Sequence, residues 1–338
     1  MRYLILTSLA LFMATAQAQQ KPAMIVDTDA GTDDLMAISY LLSSNEVNLK
    51  AVTVVNGLAH VEQGAKNILR LLELAGRRDI PVFVGEDHPL AGAAAFPEEW
   101  RQLSDNPPAV QLPQNSRQPE TQSAVEFLAQ QLRPSAGGAG LRILALGPLT
   151  NIAKAITSES RHMGGVRELV IMGGAISVPG NLAGGGVFKT DNRVAEWNIY
   201  IDPLAAHQVF ASNLPIELVP LDATNKVLID MGFVREFSNK VTTPLGRAIA
   251  QILSSEQALI EQNEFYAWDP LAAVAVMHPG ILSFQDTHVQ IELKPPHAGR
   301  TTARADLPRN ARVAMDADRA AFLRLFTSAF YRRTVRTR

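Results

Sequence analysis

Short apolar runs alternate with helical patterns along the chain, and this alternation constrains the fold more than any other feature. An apolar run ending at Val26 is followed by a polar turn and then by apolar residues at helical spacing up to Leu42. The same order returns over residues 49–75, and again from residue 142 through the segment GPLTN (147–151). Strands that alternate with helices in this way predict an α/β fold with a mostly parallel, Rossmann-like central sheet flanked by helices.

The rest of the chain fits the same unit. Apolar and polar positions alternate over residues 282–313, which predicts a small antiparallel extension of the sheet. Two irregular segments, residues 86–119 and 177–192, are rich in Gly, Pro and Asn, and loops of this length often cover a binding site. Because no linker interrupts the pattern, we expect one domain over residues 19–338.

Composition excludes some classes of function. The chain has 338 residues and a formal net charge of −2, with acidic and basic residues mixed along it. This distribution offers no extended basic face, so we expect no nucleic-acid partner. The chain has no cysteine, so its core forms without disulfides.

The N-terminus resembles an export signal. Arg2 precedes an apolar stretch over residues 4–14, and Ala16-Gln17-Ala18 forms a small-x-small cleavage site. The apolar stretch is shorter than the roughly 20 residues that a membrane span needs. We therefore expect a signal peptide over residues 1–18, cleavage after Ala18, a periplasmic or secreted mature protein, and no membrane segment in that form.

Four aspartates fall within eight residues after the first apolar run: Asp27, Asp29, Asp33 and Asp34. Carboxylates at this density raise one another's pKa unless a cation lies among them, and a helix N-terminus offsets only part of the repulsion. Oxygen ligands without cysteine favour Ca²⁺ or Mg²⁺ over zinc. The alternative, N-capping by Asp33 with the other carboxylates solvated, accounts for one aspartate and not for four.

The acidic segment VDTDAGTDD (26–34) resembles the DxDxxxDD signature of the nucleoside hydrolases, enzymes that cleave the N-glycosidic bond of ribonucleosides with a bound Ca²⁺. The resemblance continues in order through LGPLTN (146–151), VIMGGAISVPGN (170–181), AEWNIYIDP (195–203) and YAWDPLAA (266–273). It covers essentially the whole mature chain. It implies the nucleoside hydrolase fold and activity, with a homo-oligomer, a dimer or a tetramer, as the expected assembly.

The resemblance also implies a Ca²⁺ site and a catalytic base. Asp29 would be both a metal ligand and the base for the attacking water. Asp34, Asp269 and the backbone carbonyl of Leu146 would complete the ligand set. Asp27 would support this site from behind. A metal-bound water loses its proton more easily than bulk water, which agrees with these roles.

The substrate's sugar would be held by a second set of residues. The resemblance implies that Asp33 binds ribose hydroxyls, that Asn181 and Glu196 bind the 5′-hydroxyl, and that Asn198 binds the 2′- or 3′-hydroxyl. Trp197 would border the sugar pocket. Carboxylates near the sugar also stabilise the oxocarbenium-like centre through which glycosidic cleavage passes.

Two of the three tryptophans stand where the family binds the base. Trp100 lies in the first irregular segment, and Trp268 precedes Asp269, where many relatives without purine specificity carry a histidine. Both contexts resemble the purine-specific inosine-adenosine-guanosine branch, in which two tryptophans sandwich the base. The implied substrate is a purine ribonucleoside, cleaved to free base and ribose.

Three alternatives remain open at the level of sequence. A broader-specificity ribonucleoside hydrolase or an exported nucleoside-binding protein without turnover would share the pocket residues. A haloacid dehalogenase-type phosphatase also begins with an apolar-DxDx pattern, but it leaves the motifs around residues 195–203 and 266–273 unexplained. The loop VNGLAH (55–60) departs from the family pattern, and Asn56 is the only substrate contact that it suggests.

The predicted signal peptide can be tested directly. Mass spectrometry of the protein from its native host should give a mature N-terminus at Gln19, because the signal-peptide motif ends at Ala18. Intact Met1, or recovery from the cytosolic fraction alone, would contradict this prediction.

Overall fold

The computed structural model describes residues 21–44, 46–107, 110–134, 140–159, 163–183 and 188–331, so the predicted signal peptide lies outside the described residues. The strands are β1 Ala23–Thr28, β2 Asn48–Val54, β3 Val82–Val84, β4 Leu141–Ala145, β5 Val166–Met172, β6 Ile216–Val219, β7 Leu282–Ile291, β8 Thr301–Arg304 and β9 Ala311–Ala317. The helices are α1 Thr32–Ser43, α2 Val61–Leu74, α3 Glu98–Asp105, α4 Ala124–Leu132, α5 Thr150–Ser158, α6 Trp197–Ile201, α7 Pro203–Phe210, α8 Leu221–Thr224, α9 Met231–Lys240, α10 Pro244–Ser255, α11 Gln257–Glu261, α12 Trp268–Ala275 and α13 Arg319–Ser328.

The strands form one sheet in the order β3-β2-β1-β4-β5-β6-β9-β7-β8. Strands β1 to β6 are parallel to their neighbours, and β9 pairs in parallel with β6. Strand β7 runs antiparallel to both β9 and β8. The predicted α/β fold, with a mostly parallel sheet and a small antiparallel extension, is confirmed.

Helices cover both faces of the sheet. One buried cluster includes residues of α1, α2, α10, α12 and α13, and a second includes residues of α4, α5 and α7. Strand β1 lies between them, and all of its residues after Ala23 are buried. This explains why the first strand reads as a continuous apolar run up to Asp27. Within the described part of the chain, no helix combines the length and apolar character needed to cross a membrane.

The strand order changes direction at β1. The chain places β2 and β3 on one side of β1 and β4 to β6 on the other, so the loops after β1 and β4 diverge and leave a crevice between them. Asp27 pairs with Ala145 across this boundary, and the N–H of Leu146 donates to the carbonyl of Asp27 at 2.8 Å. The sheet therefore brings the acidic turn and the LGPLTN motif to the same place.

Asn151, the last residue of that motif, ties the strand ends together from the first turn of α5. Its Nδ2 donates to Asp27 Oδ1 at 2.9 Å and to the carbonyl of Val54 at 3.1 Å. Its Oδ1 accepts the backbone N–H of Glu86 at 2.9 Å. The side chain is fully buried. Without the amide, the Glu86 N–H would lose its partner, whereas Asp27 Oδ1 would keep the hydrogen bond from Thr53 and the Val54 carbonyl would keep that from Gly85.

We expect Asn151→Ala to lower the free energy of unfolding by about 1–3 kcal/mol, because it removes three hydrogen bonds and leaves the Glu86 N–H unpaired. Urea denaturation measures the change. The matched control is Gln118→Ala at an exposed position, which should change the free energy by less than about 0.5 kcal/mol. A loss for Asn151→Ala as small as that of the control would contradict the assigned role.

Candidate active site

A cleft of about 630 Å³ lies where the parallel strands end. Asp29 follows β1, Leu146 follows β4, Met172 ends β5 and Leu221 follows β6, and all four residues line the cleft. The predicted site residues that line it are Asp29, Asp33, Asp34, Trp100, Leu146, Asn181, Glu196, Trp197, Asn198, Trp268 and Asp269. The fold therefore brings together residues that are up to 240 positions apart, from Asp29 to Asp269.

Four carboxyl groups form the floor of the cleft. The side chain of Asp34 lies within hydrogen-bonding reach of both Asp29 and Asp269. Carboxylate oxygens of Asp33, Asp34 and Asp269 lie within 4.8 Å of one another. Asp33 therefore joins the predicted ligands Asp34 and Asp269 as a group that can reach one cation, while Asp29 lies next to Asp34.

Burial and mutual repulsion dominate the electrostatics of this cluster. Burial raises the pKa of Asp29 and of Asp269 well above the ordinary carboxyl range, and the charge of Asp34 raises both further. Burial, with repulsion from Asp33, raises the pKa of Asp34 to about 7. Burial, with repulsion from Asp29, raises the pKa of Asp33 to about 7. Without a cation, the cluster retains protons at a pH where isolated carboxyls are ionised.

The donor set fits a hard cation. Oδ1 of Asp269 is buried and has no hydrogen-bond partner. None of the described residues that line the cleft is Lys, Arg or His, so the lining itself supplies no positive side chain. Buried carboxylate oxygens and a backbone carbonyl are the ligands that Ca²⁺ and Mg²⁺ prefer. The cluster therefore has the ligands to hold a metal ion.

Neutral donors hold the carboxylates in place. The hydroxyl of Thr28 donates a short hydrogen bond to Asp34, whose other oxygen accepts the backbone N–H of Gly31 at 3.0 Å. The N–H of Leu58 donates to Asp29 Oδ2 at 2.8 Å. The sequence alone did not assign this role to Thr28. Its place between two aspartates at the end of a strand could have indicated it.

The turn between Asp29 and α1 adopts a conformation that is unusual for its residue type. Ala30 has φ = +57°, in the left-handed region that costs a residue with a Cβ roughly 1–2 kcal/mol. Its N–H donates to Thr28 Oγ1 at 3.0 Å. Such strain is typical of functional turns, and here it lets the chain reverse directly after Asp29.

Asp27 lies behind the cleft and does not line it. Its Oδ1 accepts from Thr53 Oγ1 at 2.6 Å and from Asn151, while Oδ2 is buried without a partner. Burial raises the pKa of Asp27 to about 7. The side chain connects β1 to β2 and α5.

The side of the cleft assigned to the sugar is built on Asn198 and its neighbours. Asn198 Nδ2 donates to the carbonyl of Leu146 at 2.9 Å and to that of Met172 at 3.2 Å. A carbonyl oxygen has two lone pairs, so Leu146 can still offer one of them to a cation. Asn181 Oδ1 accepts the N–H of Trp197 at 3.2 Å.

Glu196 has a structural task that the sequence did not reveal. Its carboxylate accepts the backbone N–H groups of Asn198 at 3.0 Å and Ile199 at 3.3 Å, which caps α6, and also that of Gly174 at 2.9 Å. Burial raises the pKa of Glu196 above its ordinary value, and these hydrogen bonds offset only part of that rise. Glu196 thus fixes α6 while its side chain faces the cleft.

Aromatic rings also line the cleft. Trp197 is buried at the centre of a cluster and packs against Phe96, Phe188 and Trp100, with ring centroids at 4.5, 5.0 and 5.6 Å respectively. Trp268 packs separately against Phe265 and Tyr266 at 5.5 and 6.0 Å. The Nε1 of Trp268 is buried without a hydrogen-bond partner.

Several lining residues carry no motif and were missed. Leu58, and not Asn56, is the residue of the second-strand loop that lines the cleft, because Asn56 is buried outside it. Glu256 also lines the cleft, and its Oε1 accepts from Thr32 Oγ1 at 3.0 Å. Nothing in the sequence near Glu256 indicates a site, since the helices around it show only an ordinary amphipathic pattern.

Comparison with known proteins identifies the family. The family model for inosine-uridine preferring nucleoside hydrolases matches residues 24–324. Uridine nucleosidase 1 of Arabidopsis thaliana is 31% identical over 85% of this chain and 83% of its own length. The pyrimidine-specific ribonucleoside hydrolase RihA of Salmonella enteritidis is 32% identical over 89% of this chain and 96% of its own.

A solved structure shows the same fold. The purine-preferring ribonucleoside hydrolase from Gardnerella vaginalis superposes with a TM-score of 0.78 at 27% identity, over 91% of this chain and 97% of that one. The chain belongs to the nucleoside hydrolase family, and it is an N-glycosyl hydrolase of ribonucleosides. The predicted family and enzyme class are confirmed.

The metal site predicts how removal of one carboxylate changes the melting temperature with Ca²⁺ and with chelator. Ca²⁺ should raise the melting temperature of the wild type above its value in chelator, because the ion binds only the folded cluster. Asp269→Asn should lose most of this shift. In chelator the variant should be at least as stable as the wild type, since it removes one repelling carboxylate.

Differential scanning fluorimetry measures both effects. Asp87→Asn, at an exposed site remote from the acidic cluster in sequence, serves as the matched control and should keep the full Ca²⁺ response. A wild-type Ca²⁺ shift in Asp269→Asn would exclude that residue from the metal site.

Proposed function

We propose that the chain hydrolyses the N-glycosidic bond of purine ribonucleosides and releases the free base and ribose. The observation that carries this proposal is the placement of Trp100 and Trp268, from two distant helices, in the same cleft as the buried carboxylates. The carboxylates suit the chemistry at the sugar, and the indoles suit a large flat leaving group.

The proposed cation is Ca²⁺, held by Asp29, Asp34, Asp269 and the carbonyl oxygen of Leu146. When bound, it would offset part of the negative charge of the cluster and make water easier to deprotonate. Asp29 accepts the proton of the attacking water. The hydrogen bond from Leu58 to Oδ2 holds the Asp29 carboxyl in one orientation for this transfer.

The proposed sugar site uses the polar side of the cleft. Asp33 and Asn198 bind ring hydroxyls, while Asn181 and Glu196 bind the 5′-hydroxyl. As the bond from C1′ to the base nitrogen breaks, its electron pair leaves with the base and positive charge develops on the sugar. The partly exposed carboxylate of Asp33 and the buried carboxylate of Glu196 stabilise that charge, and Trp197 borders this side of the cleft.

The proposed base site has no obvious general acid. None of the described residues that line the cleft is a histidine. Stacking on Trp100 and Trp268 would favour a purine that leaves in its protonated form. The unpartnered Nε1–H of Trp268 remains available to an acceptor on the substrate.

The relatives supply a second candidate function. Two sequence relatives are named as a uridine nucleosidase and a pyrimidine-specific hydrolase, whereas the structural relative is named as purine-preferring. A broader hydrolase that also cleaves pyrimidine ribonucleosides would agree with the first two names. Product analysis with inosine, adenosine, guanosine, uridine and cytidine separates the candidates.

We further propose that the mature enzyme is exported and forms a homo-oligomer, a dimer or a tetramer. The support for export is the N-terminal signal pattern, and the support for assembly is the family resemblance. Subcellular fractionation and sedimentation velocity test these two points.

The purine assignment predicts how the two tryptophans act. Trp268→Ala should lower kcat for inosine about tenfold or more, because most of the stacking acts on the departing base in the transition state. Trp268→Phe should retain much of the activity, since a ring remains. Trp100→Ala should weaken binding of inosine and slow its turnover.

The control is p-nitrophenyl riboside, whose leaving group needs no protonation and should be much less affected by Trp268→Ala. Two results would contradict the purine assignment. One is wild-type cleavage of uridine as efficient as that of inosine. The other is an equal loss on the activated analogue and on inosine.

A further inference from the structure

Helix α3 forms part of the cleft wall at which the nucleobase of the substrate is proposed to bind. It makes few buried contacts with the core. Trp100, Leu103 and Ser104 of this helix line the cleft, and Leu103 is 56% exposed. Ser104 is the only buried residue of α3. A helix of eight residues is not stable alone, so its position depends on the contacts it makes with other elements.

The contacts at its C-terminal end form a polar clamp, which consists of His60, Asn67 and Asp105. The ring Nδ1 of His60 lies 2.8 Å from Asp105 Oδ2, and the backbone N–H of His60 donates to Asp105 Oδ1 at 2.9 Å. Asn67 Nδ2 donates to the carbonyls of Asp105 at 2.9 Å and Ser104 at 3.2 Å. Asn67 is fully buried, so it satisfies terminal carbonyls of α3 away from water.

The same histidine also reaches the other end of the helix. Nε2 of His60 lies 3.8 Å from Glu98 Oε2, at the first residue of α3. On its opposite side, α3 is held by the edge contact between Trp100 and Trp197. The polar clamp and this ring contact therefore fix α3 from two sides.

The loop that carries His60 also contacts the proposed catalytic base. The N–H of Leu58 donates to Asp29 Oδ2 at 2.8 Å, and the N–H of Ala59 donates to the carbonyl of Asp29 at 2.9 Å. Only one residue separates the Leu58 contact from His60. A single short loop thus fixes Asp29 on one side and α3 on the other.

We propose that His60 and Asp105 are positioning residues. They hold Trp100 of α3 against the departing nucleobase, at a fixed position relative to Asp29. This inference rests on the proposed function. Neither residue lines the cleft, so they act through Trp100 and not on the substrate. Because α3 contributes almost nothing to the core, loss of the clamp should free this helix without unfolding the protein.

A double-mutant cycle between His60 and Trp100 tests this role, since the cycle measures coupling between the two sites. His60→Ala should lower kcat/KM for the best purine ribonucleoside about tenfold, as expected for a misplaced positioning group. In the Trp100→Ala background, the same change should cost less than about twofold. His60→Asn should restore most of the activity, because its amide can replace the Nδ1–H donor to Asp105.

Hydrogen exchange gives a readout that does not depend on turnover. Amides of residues 98–105 should exchange faster in His60→Ala and remain protected in His60→Asn, with little change in melting temperature. The matched control is Glu62→Ala, an exposed residue in the first turn of the same helix as Asn67, which should behave as wild type in both assays.

The outcomes separate the clamp from the proposed function. Additive losses from His60→Ala and Trp100→Ala, or faster exchange with unchanged kcat/KM, would overturn the positioning role. Unchanged exchange in α3 would overturn the clamp itself. If the wild type cleaves no purine ribonucleoside, the proposed function fails, while the exchange data still decide whether the clamp holds α3.

Discussion

Repulsion among four carboxyl groups, three of them buried, is the constraint on which the rest of the site depends. Asp29, Asp33, Asp34 and Asp269 meet at the floor of a cleft whose described lining contains no basic side chain. Hydrogen bonds from Thr28 and from backbone N–H groups orient these carboxyls without neutralising them. Such concentrated negative charge favours binding of a cation. In the proposed reaction it also stabilises the positive charge that develops on the sugar.

The sheet makes this concentration of charge possible. Because the strand order reverses at β1, the ends of β1 and β4 diverge, and the acidic turn and Leu146 face the same crevice. Helix α12 packs against α1 and delivers Asp269 to the cluster from the far end of the chain. The sheet and its buried helices therefore carry the proposed metal and sugar sites, and the sugar is the part of the substrate that all ribonucleosides share.

The wall at the proposed nucleobase site is less buried than the floor of the cleft. Helix α3 has one buried residue, and it is held by a polar clamp on one side and a ring contact on the other. Loops on a rigid scaffold are where binding specificity usually resides. Relatives of this chain bear names for pyrimidine and for purine substrates, so one fold supports hydrolases of different nucleobase preference.

The sequence by itself determined the alternation of strands and helices, the parallel sheet with its antiparallel extension, and the acidic turn, because periodicity and local charge are properties of neighbouring residues. Ordered motifs also indicated Asp269 and Trp268, although they lie far from the turn. Only the tertiary structure decided that Leu58 and Glu256 line the cleft, that Glu196 caps α6, and that His60 holds α3. These roles arise from packing between segments that are distant in the chain, and no local pattern records which side chain will fill the space between them.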